Sequence, residues 1–371
     1  MSSAVRPRRP KPAAQRQGVK TVNLALQGGG SHGAYTWGVL DALAADARIE
    51  ISAISGASAG SMNAVVFASG MDEGGRDGAR QKLEKFWLSI SSEGSLAPFQ
   101  RKWVDSALSA WGGFWPGSRW MDAWADAISG VLSPYEFNPL NINPLRAHLV
   151  AAVDFERLRG SDELKLFVAA TNIRTGRGEI FRRDILTADH VMASACLPQL
   201  FQAVVIDGDA YWDGGFAGNP PLWPLFYETQ CRDAIIIQIN PIERDEIPRT
   251  PTEINDRVNE ITFNASLLAE LRAADFVARL IQSGILKSDQ YRLERLHRIG
   301  GSGKLERYPA ETKNDVSWPF LKQLRDLGQA DAKAWLEENF DAIGVRSTLD
   351  IDRELKRAPA ATPTKGAAAA V

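Results

Sequence analysis

Two strand-turn-helix units stand in succession near the start of the chain, and they restrict the fold more than any other feature of its 371 residues. In the first, "VNLALQGGGSHGAYTWGVLDAL" (22–43), an apolar run of Leu24, Ala25 and Leu26 enters a block of glycines, Gly28, Gly29, Gly30 and Gly33. It leaves as a helix with Trp37, Leu40 and Leu43 spaced by three on one face. In the second, "IEISAISGASAGSMNAVVFAS" (49–69), the apolar run Ile49 to Ile54 meets Gly56-Ala57-Ser58-Ala59-Gly60 and continues as a helix from Ser61. Successive strands joined through helices pair in parallel, which predicts an α/β fold with a mostly parallel central sheet and helices on both faces. A tight turn at a helix N-terminus also leaves backbone N–H groups unpaired where the helix dipole favours negative charge. That charge is either a cofactor's pyrophosphate or an oxyanion that exists only during a reaction.

The remaining chain continues the alternation. "GGRDGARQKLEKFWLSI" (74–90) reads as an amphipathic helix with Ala79, Leu83, Phe86 and Trp87 on its apolar face. "LKLFVAATNI" (164–173) reads as a central strand, followed by a turn at Gly176 and Gly178 and a strand over Glu179–Arg182. A short helix is expected from Thr187 to Ala195, ended by Pro198. Val204–Ile206 and a return at Tyr211 flank the turn Asp207-Gly208, and "AIIIQI" (234–239) has the density of a buried parallel strand. Helical patterns cover about 253–286 and 317–343. With neither repeat nor linker inside it, 21–345 is expected to form one domain. Between 91 and 150 lies an insertion in which five of the chain's 11 tryptophans (Trp103, Trp111, Trp115, Trp120, Trp124) are mixed with glycine and proline. It reads as a helical insertion packed on the domain, or as a lid with aromatic faces toward an apolar substrate or a lipid interface. Residues 1–20, basic and proline-bearing, and 346–371, low in complexity, are expected to be disordered tails.

Composition narrows the function. A net charge of -2 gives no electrostatic case for nucleic acid. The two cysteines, Cys196 and Cys231, are too few for a disulfide framework, and no run of apolar residues is long enough to span a bilayer. The expectation is a cytoplasmic protein, with room for peripheral contact at a membrane surface. No histidine pair has ligand spacing and no calcium-loop pattern occurs, so neither a metal nor a cofactor is expected.

Three motifs carry chemistry. Gly28-Gly29-Gly30-Ser31-His32-Gly33 satisfies G-x-G-x-x-G, but the acidic residue that a dinucleotide site requires at the end of the second strand is missing: Glu50 begins that strand, and Gly56–Gly60 occupies its end. Gly56-Ala57-Ser58-Ala59-Gly60 is G-x-S-x-G, in which a sharp strand-to-helix turn projects a serine Oγ and small neighbours let a substrate approach. The serine needs a base. Chain order allows a triad of Ser58, Asp213 and His297, although His297 lies in "YRLERLHRIG", where leucine alternates with charge as on a surface element. The alternative is a dyad in which Asp213 itself takes the proton, with Gly214 and Gly215 turning the backbone past it.

Taken together, "GGGSHG" (28–33), "GASAG" (56–60), "ASACLPQLF" (193–201) and "DGG" (213–215) resemble the patatin-like phospholipase family, in the family's order. The resemblance implies a three-layer α/β sandwich and a serine acyl hydrolase acting on lipid esters. Ser58 would be the nucleophile and Asp213 the base; Gly29 and Gly30, with Gly28 in the same loop, would supply the oxyanion hole. Pro198 would shape a wall of the site. Many members carry lysine or arginine where this chain has His32, and a neutral His32 leaves less positive charge facing the oxyanion. Alternatives are an esterase or storage-polyester depolymerase of the same mechanism, and a non-catalytic lipid-binding protein. A dinucleotide-binding protein is the most remote of them.

Overall fold

The computed structural model of the chain describes residues 18–91, 133–287, 291–300, 304–305, 308 and 310–355. Trp103–Trp124 of the insertion and the basic residues up to Arg16 lie outside them. The elements run β1 (Lys20–Leu26), α1 (Gly33–Ala45), β2 (Ile49–Gly56), α2 (Ala59–Ile90, kinked at Gly74 and Gly75), α3 (Pro134–Phe137), α4 (Pro144–Ala152) and α5 (Phe155–Arg159). They continue through β3 (Lys165–Asn172), β4 (Gly178–Arg182), α6 (Ala188–Ser194), β5 (Val204–Ile206), β6 (Asp209–Asp213), α7 (Trp223–Glu228) and β7 (Asp233–Gln238). The chain then forms α8 (Pro251–Gln282), β8 (Arg295–Gly300), α9 (Trp318–Asn339) and α10 (Ile351–Leu355).

The strands form one eight-stranded mixed sheet in which β2, β1, β7 and β8 are parallel neighbours, β3 joins β2 in parallel, and β4, β5 and β6 pair antiparallel at the other side. Alternation along the strands divides the core into two. Leu24 and Leu26 of β1 point with Ile235 and Ile237 of β7 into the larger cluster beneath α1, α2 and α9. Ala25, Ala53, Phe167 and Ile236 point the opposite way, onto Leu222, Leu225, Leu267 and Leu271 of the α7–α8 side. Helices thus cover both faces, giving the three layers.

Residues Gly33 to Ala44 of α1 are buried on every side, not on the single face that Trp37, Leu40 and Leu43 suggest. The reason is neighbours: α2 and α9 both pack against α1, and Trp318 stacks on Trp37 at 5.9 Å. Ordered contacts also run past residue 345, since the Leu349 amide donates to the Leu296 carbonyl (3.0 Å), Leu349 is buried, and α10 packs on α8. None of the described helices is long and apolar enough to cross a membrane.

Candidate active site

The register of β3 brings the distant motifs together. Phe167 pairs with Ser55 of β2 and with Arg182 of β4, so β2 and β4 lie on opposite edges of β3. Ala170 pairs with Glu179 of β4 and with Asp213 of β6, so β6 also lies opposite β4. It follows that β2 and β6 share one edge of β3, end to end. Gly56 closes β2 opposite Val168, and Asp213 closes β6 opposite Ala170, two positions further along. The turn after Gly56 therefore opens beside Asp213.

That turn holds Ser58 at φ 52 and ψ -127, a backbone conformation costing on the order of 1–3 kcal/mol for a residue with a Cβ. Close packing enforces it: a Cβ on Gly60 would lie 2.2 Å from the Leu26 carbonyl oxygen, and one on Gly56 would lie 2.7 Å from the Gly60 backbone. The Ser58 N–H donates to the carbonyl and the Oγ of Ser194, each at 3.0 Å. Ser58 caps α2, so its side chain stands at the positive end of that helix.

Asp213 is fully buried. Its N–H donates to the Cys196 carbonyl (2.8 Å), its carbonyl accepts from Thr171 Oγ1 (2.8 Å), and its Oδ1 accepts from the Gly215 N–H (2.7 Å). Oδ2 has no hydrogen-bond partner of ordinary length among the described residues. The Ser58 hydroxyl is the side chain that approaches the carboxylate and stabilises its charged form. Contacts of this kind are often long in an empty site and tighten when substrate binds. Burial outweighs both hydrogen bonds and pushes the carboxyl from 3.8 up to about 7.

The glycine loop stands against this pair, for a Cβ on Gly28 would meet Ser58 Cβ at 2.5 Å. Two buried asparagines clamp Gly28: its N–H donates to Asn219 Oδ1 (2.7 Å) and its carbonyl accepts from Asn240 Nδ2 (2.6 Å). Gln27 adds bonds to the Asn219 carbonyl and from the Ile239 and Asn240 amides. The Gly28 amide is thereby committed, which corrects its inclusion among the oxyanion donors; the amides of Gly29 and Gly30 have no acceptor among the described residues. Gly30 takes φ +59, and a Cβ there would strike the Lys313 carbonyl at 2.6 Å.

His32 is buried, with Nε2 2.8 Å from Thr312 Oγ1 and its ring against Tyr308 and Phe320. Burial first, and the charges of Lys313 and Arg244 second, push its pKa down to about 4, so the ring is neutral at pH 7. Gly33 opens α1 behind it. Gly214 and Gly215 form the 3-10 turn after β6. Pro198 is half-buried in the turn after Cys196; it is Ser194 and Cys196 of the same block that bond to Ser58 and Asp213.

His297 does not join them. It is wholly buried in β8 rather than on a surface, with Nε2 3.1 Å from Asp233 Oδ1 and Nδ1 3.0 Å from Thr348 Oγ1. Both nitrogens are engaged, and β8 is three strands from β2, about 14 Å at ordinary strand spacing. The triad of Ser58, Asp213 and His297 is not assembled. His190 Nδ1 caps its own helix at Thr187, and His148 lies on α4. Both cysteines have thiols raised to about 11 by burial, and each sulfur faces backbone carbonyls.

Residues 24–226 match the family model described as patatin-like phospholipase, more than half of the chain. The chain belongs to the patatin-like phospholipase family. Among solved structures, VipD from Legionella pneumophila is similar at 17% identity over 84% of this chain and 67% of that one, with a TM-score of 0.37. A structure of full-length SpcU in complex with full-length ExoU from the type III secretion system of Pseudomonas aeruginosa is similar at 15% identity, with a TM-score of 0.34. That match covers 87% of this chain, which spans about half (53%) of the chain matched there. No curated protein matches the chain. Three residues around the site carry no motif of their own, Asn219, Asn240 and Lys313, while Ser194 lies in the 193–201 block without having been singled out there. Asn240 alone has a positional signal, because it follows the C-terminal end of a central parallel strand, where α/β folds place their sites.

Proposed function

We propose that this patatin-like protein is a serine acyl hydrolase that cleaves lipid esters through Ser58 and Asp213. The observation that carries the reading is the Asp213 carboxylate, wholly buried, with Oδ2 uncommitted, a pKa near 7, and the hydroxyl of a strained Ser58 facing it. Its pKa matches that of a general base working near neutrality. In the reaction, Ser58 Oγ bonds to the ester carbonyl carbon as its proton passes to Asp213. The carbonyl oxygen becomes an oxyanion accepted by the N–H groups of Gly29 and Gly30. Collapse breaks the ester bond, and the leaving alcohol takes the proton from Asp213. Asp213 then removes a proton from water, the hydroxide attacks the acyl-Ser58 ester, and the acid departs as Ser58 regains its proton.

Lipid esters, phospholipids included, are the substrate class that family membership supports. Ser58→Ala and Asp213→Ala should each abolish hydrolysis of p-nitrophenyl esters, and incubation with phospholipid vesicles should release fatty acid identifiable by mass spectrometry. Turnover of short esters with no product from any lipid would replace the lipid reading with an esterase. Retention of activity by Asp213→Ala would overturn the dyad.

A further inference from the structure

The oxyanion loop is backed by a cation that does not come from the loop itself. Lys313 lies in the short 3-10 turn Ala310–Asn314, which packs beneath Gly30–His32. The Thr312 carbonyl accepts from Ser31 Oγ (2.8 Å), Thr312 Oγ1 meets His32, and the Lys313 carbonyl abuts Gly30. Lys313 Nζ donates to Asn240 Oδ1 at 3.1 Å, and Asn240 Nδ2 donates to the Gly28 carbonyl at 2.6 Å. The Gly28 carbonyl belongs to the same planar peptide unit as the Gly29 N–H, one of the two loop amides without an acceptor. An ammonium, a side-chain amide and a backbone amide are thus aligned so that each donates to the next. Such chains polarise cooperatively in a buried setting, each bond strengthening the following one by about 10–30%.

We propose that Lys313 is a positioning residue that passes its positive charge through Asn240 and the Gly28–Gly29 peptide to the Gly29 N–H, strengthening its hold on the developing oxyanion. The inference rests on reading the glycine loop as the oxyanion hole. Glu260 divides its charge among three cations, Lys313 (3.7 Å), Arg244 (2.6 Å) and Arg257 (3.2 Å). His32, the position nearest the loop, contributes no charge at neutral pH. Asn240 is what makes the relay directional, since its clamp on Gly28 fixes the plane of the peptide.

The test compares Lys313→Met, Lys313→Gln and Lys313→Arg with wild type and Ser58→Ala, using p-nitrophenyl butyrate at pH 8 and an alkyl boronic acid whose serine adduct carries an anionic oxygen. An oxyanion donor is worth about 100- to 1000-fold in rate, so a gain of 10–30% in its strength corresponds to about two- to eightfold. The expected result is a fall of that size in kcat for Met and Gln, with KM unchanged and boronate affinity weakened by the same factor. Arginine should restore both. The rise of kcat/KM with pH near 7 should not move, because Lys313 is not among the groups that set the Asp213 pKa. Lys313→Gln keeps a donor to Asn240 without the charge, and it carries the test if Lys313→Met fails to fold. Wild-type kcat and boronate affinity in the Gln variant, with Ser58→Ala inactive, would overturn the relay and leave the dyad intact. Activity in Ser58→Ala would instead overturn the reading of the site on which the relay stands.

Discussion

Asp213→Asn separates what the proposed base contributes to chemistry from what its burial costs the fold. Asparagine has nearly the same shape: its Oδ1 can still accept from the Gly215 N–H, and its Nδ2 takes the place of Oδ2, which lies without a partner among the described residues. Moving a carboxyl from 3.8 to about 7 corresponds to about 4 kcal/mol at 1.36 kcal/mol per pKa unit. The sign follows from proton counts. Between pH 4 and 7 the native protein retains a proton that the unfolded chain has released, so native stability falls as pH rises through that window. Below pH 4 both states are protonated and the cost is absent; above pH 7 both are ionised and it is present in full. The variant has no such group. Its stability relative to wild type should climb from a constant offset near pH 4 to about 4 kcal/mol above that offset by pH 8, while esterase activity is lost. Urea unfolding followed by tryptophan fluorescence at half-unit pH steps measures the difference. Glu270 and Glu294, also raised to about 7 by burial, titrate alike in both proteins and cancel. A difference that is flat from pH 4 to 8, or that falls with pH, would refute the buried, desolvated base.

Three further outcomes follow from the same geometry. Wild-type kcat/KM should rise with unit slope as pH passes about 7, where Asp213 loses its proton, and level off above it; a stopped-flow esterase profile displaced to pH 4 would mean that the carboxylate is solvated. Gly60→Val should prevent the Ser58 turn from closing, because the new Cβ falls 2.2 Å from the Leu26 carbonyl, and little folded protein should be recovered; a folded, active variant on size exclusion would contradict that packing. Ser194→Ala removes one of two acceptors for the Ser58 amide, so kcat should drop about fivefold, the equivalent of roughly 1 kcal/mol, with thermal stability little changed; an unaltered kcat would show that the Ser194 carbonyl alone holds the turn.

The features legible in the sequence are those whose cause is local. Apolar runs broken by glycine announced β1, β2 and the helices that follow them, and unbroken apolar density announced β7, because a glycine turn and a hydrophobic run are read within about ten residues. Ser58 and Asp213 stood out for the same reason, each at the apex of such a turn. The alignment of β2 and β6 on one edge of β3 was not legible, since it depends on two separate long-range pairings, Gly56 with Val168 and Asp213 with Ala170, that meet on one strand. Asn219 was silent, and Asn240 showed only its place after β7, because their partner, Gly28, is some two hundred positions away. His297 illustrates the opposite error. Its alternation with charged neighbours suggests an exposed element, yet Asp233 and the segment around Thr348 enclose the ring from both sides. Helix α1 fails similarly, being packed on every side where one face was expected.

Covalent labelling of the serine tests the central claim most directly. A fluorophosphonate probe should form one adduct per chain, located at Ser58 by tandem mass spectrometry, and its rate of formation should collapse in folded Asp213→Asn at pH 8. An unlabelled Ser58 in folded wild-type protein, or equal labelling rates with and without the Asp213 carboxylate, would contradict the dyad.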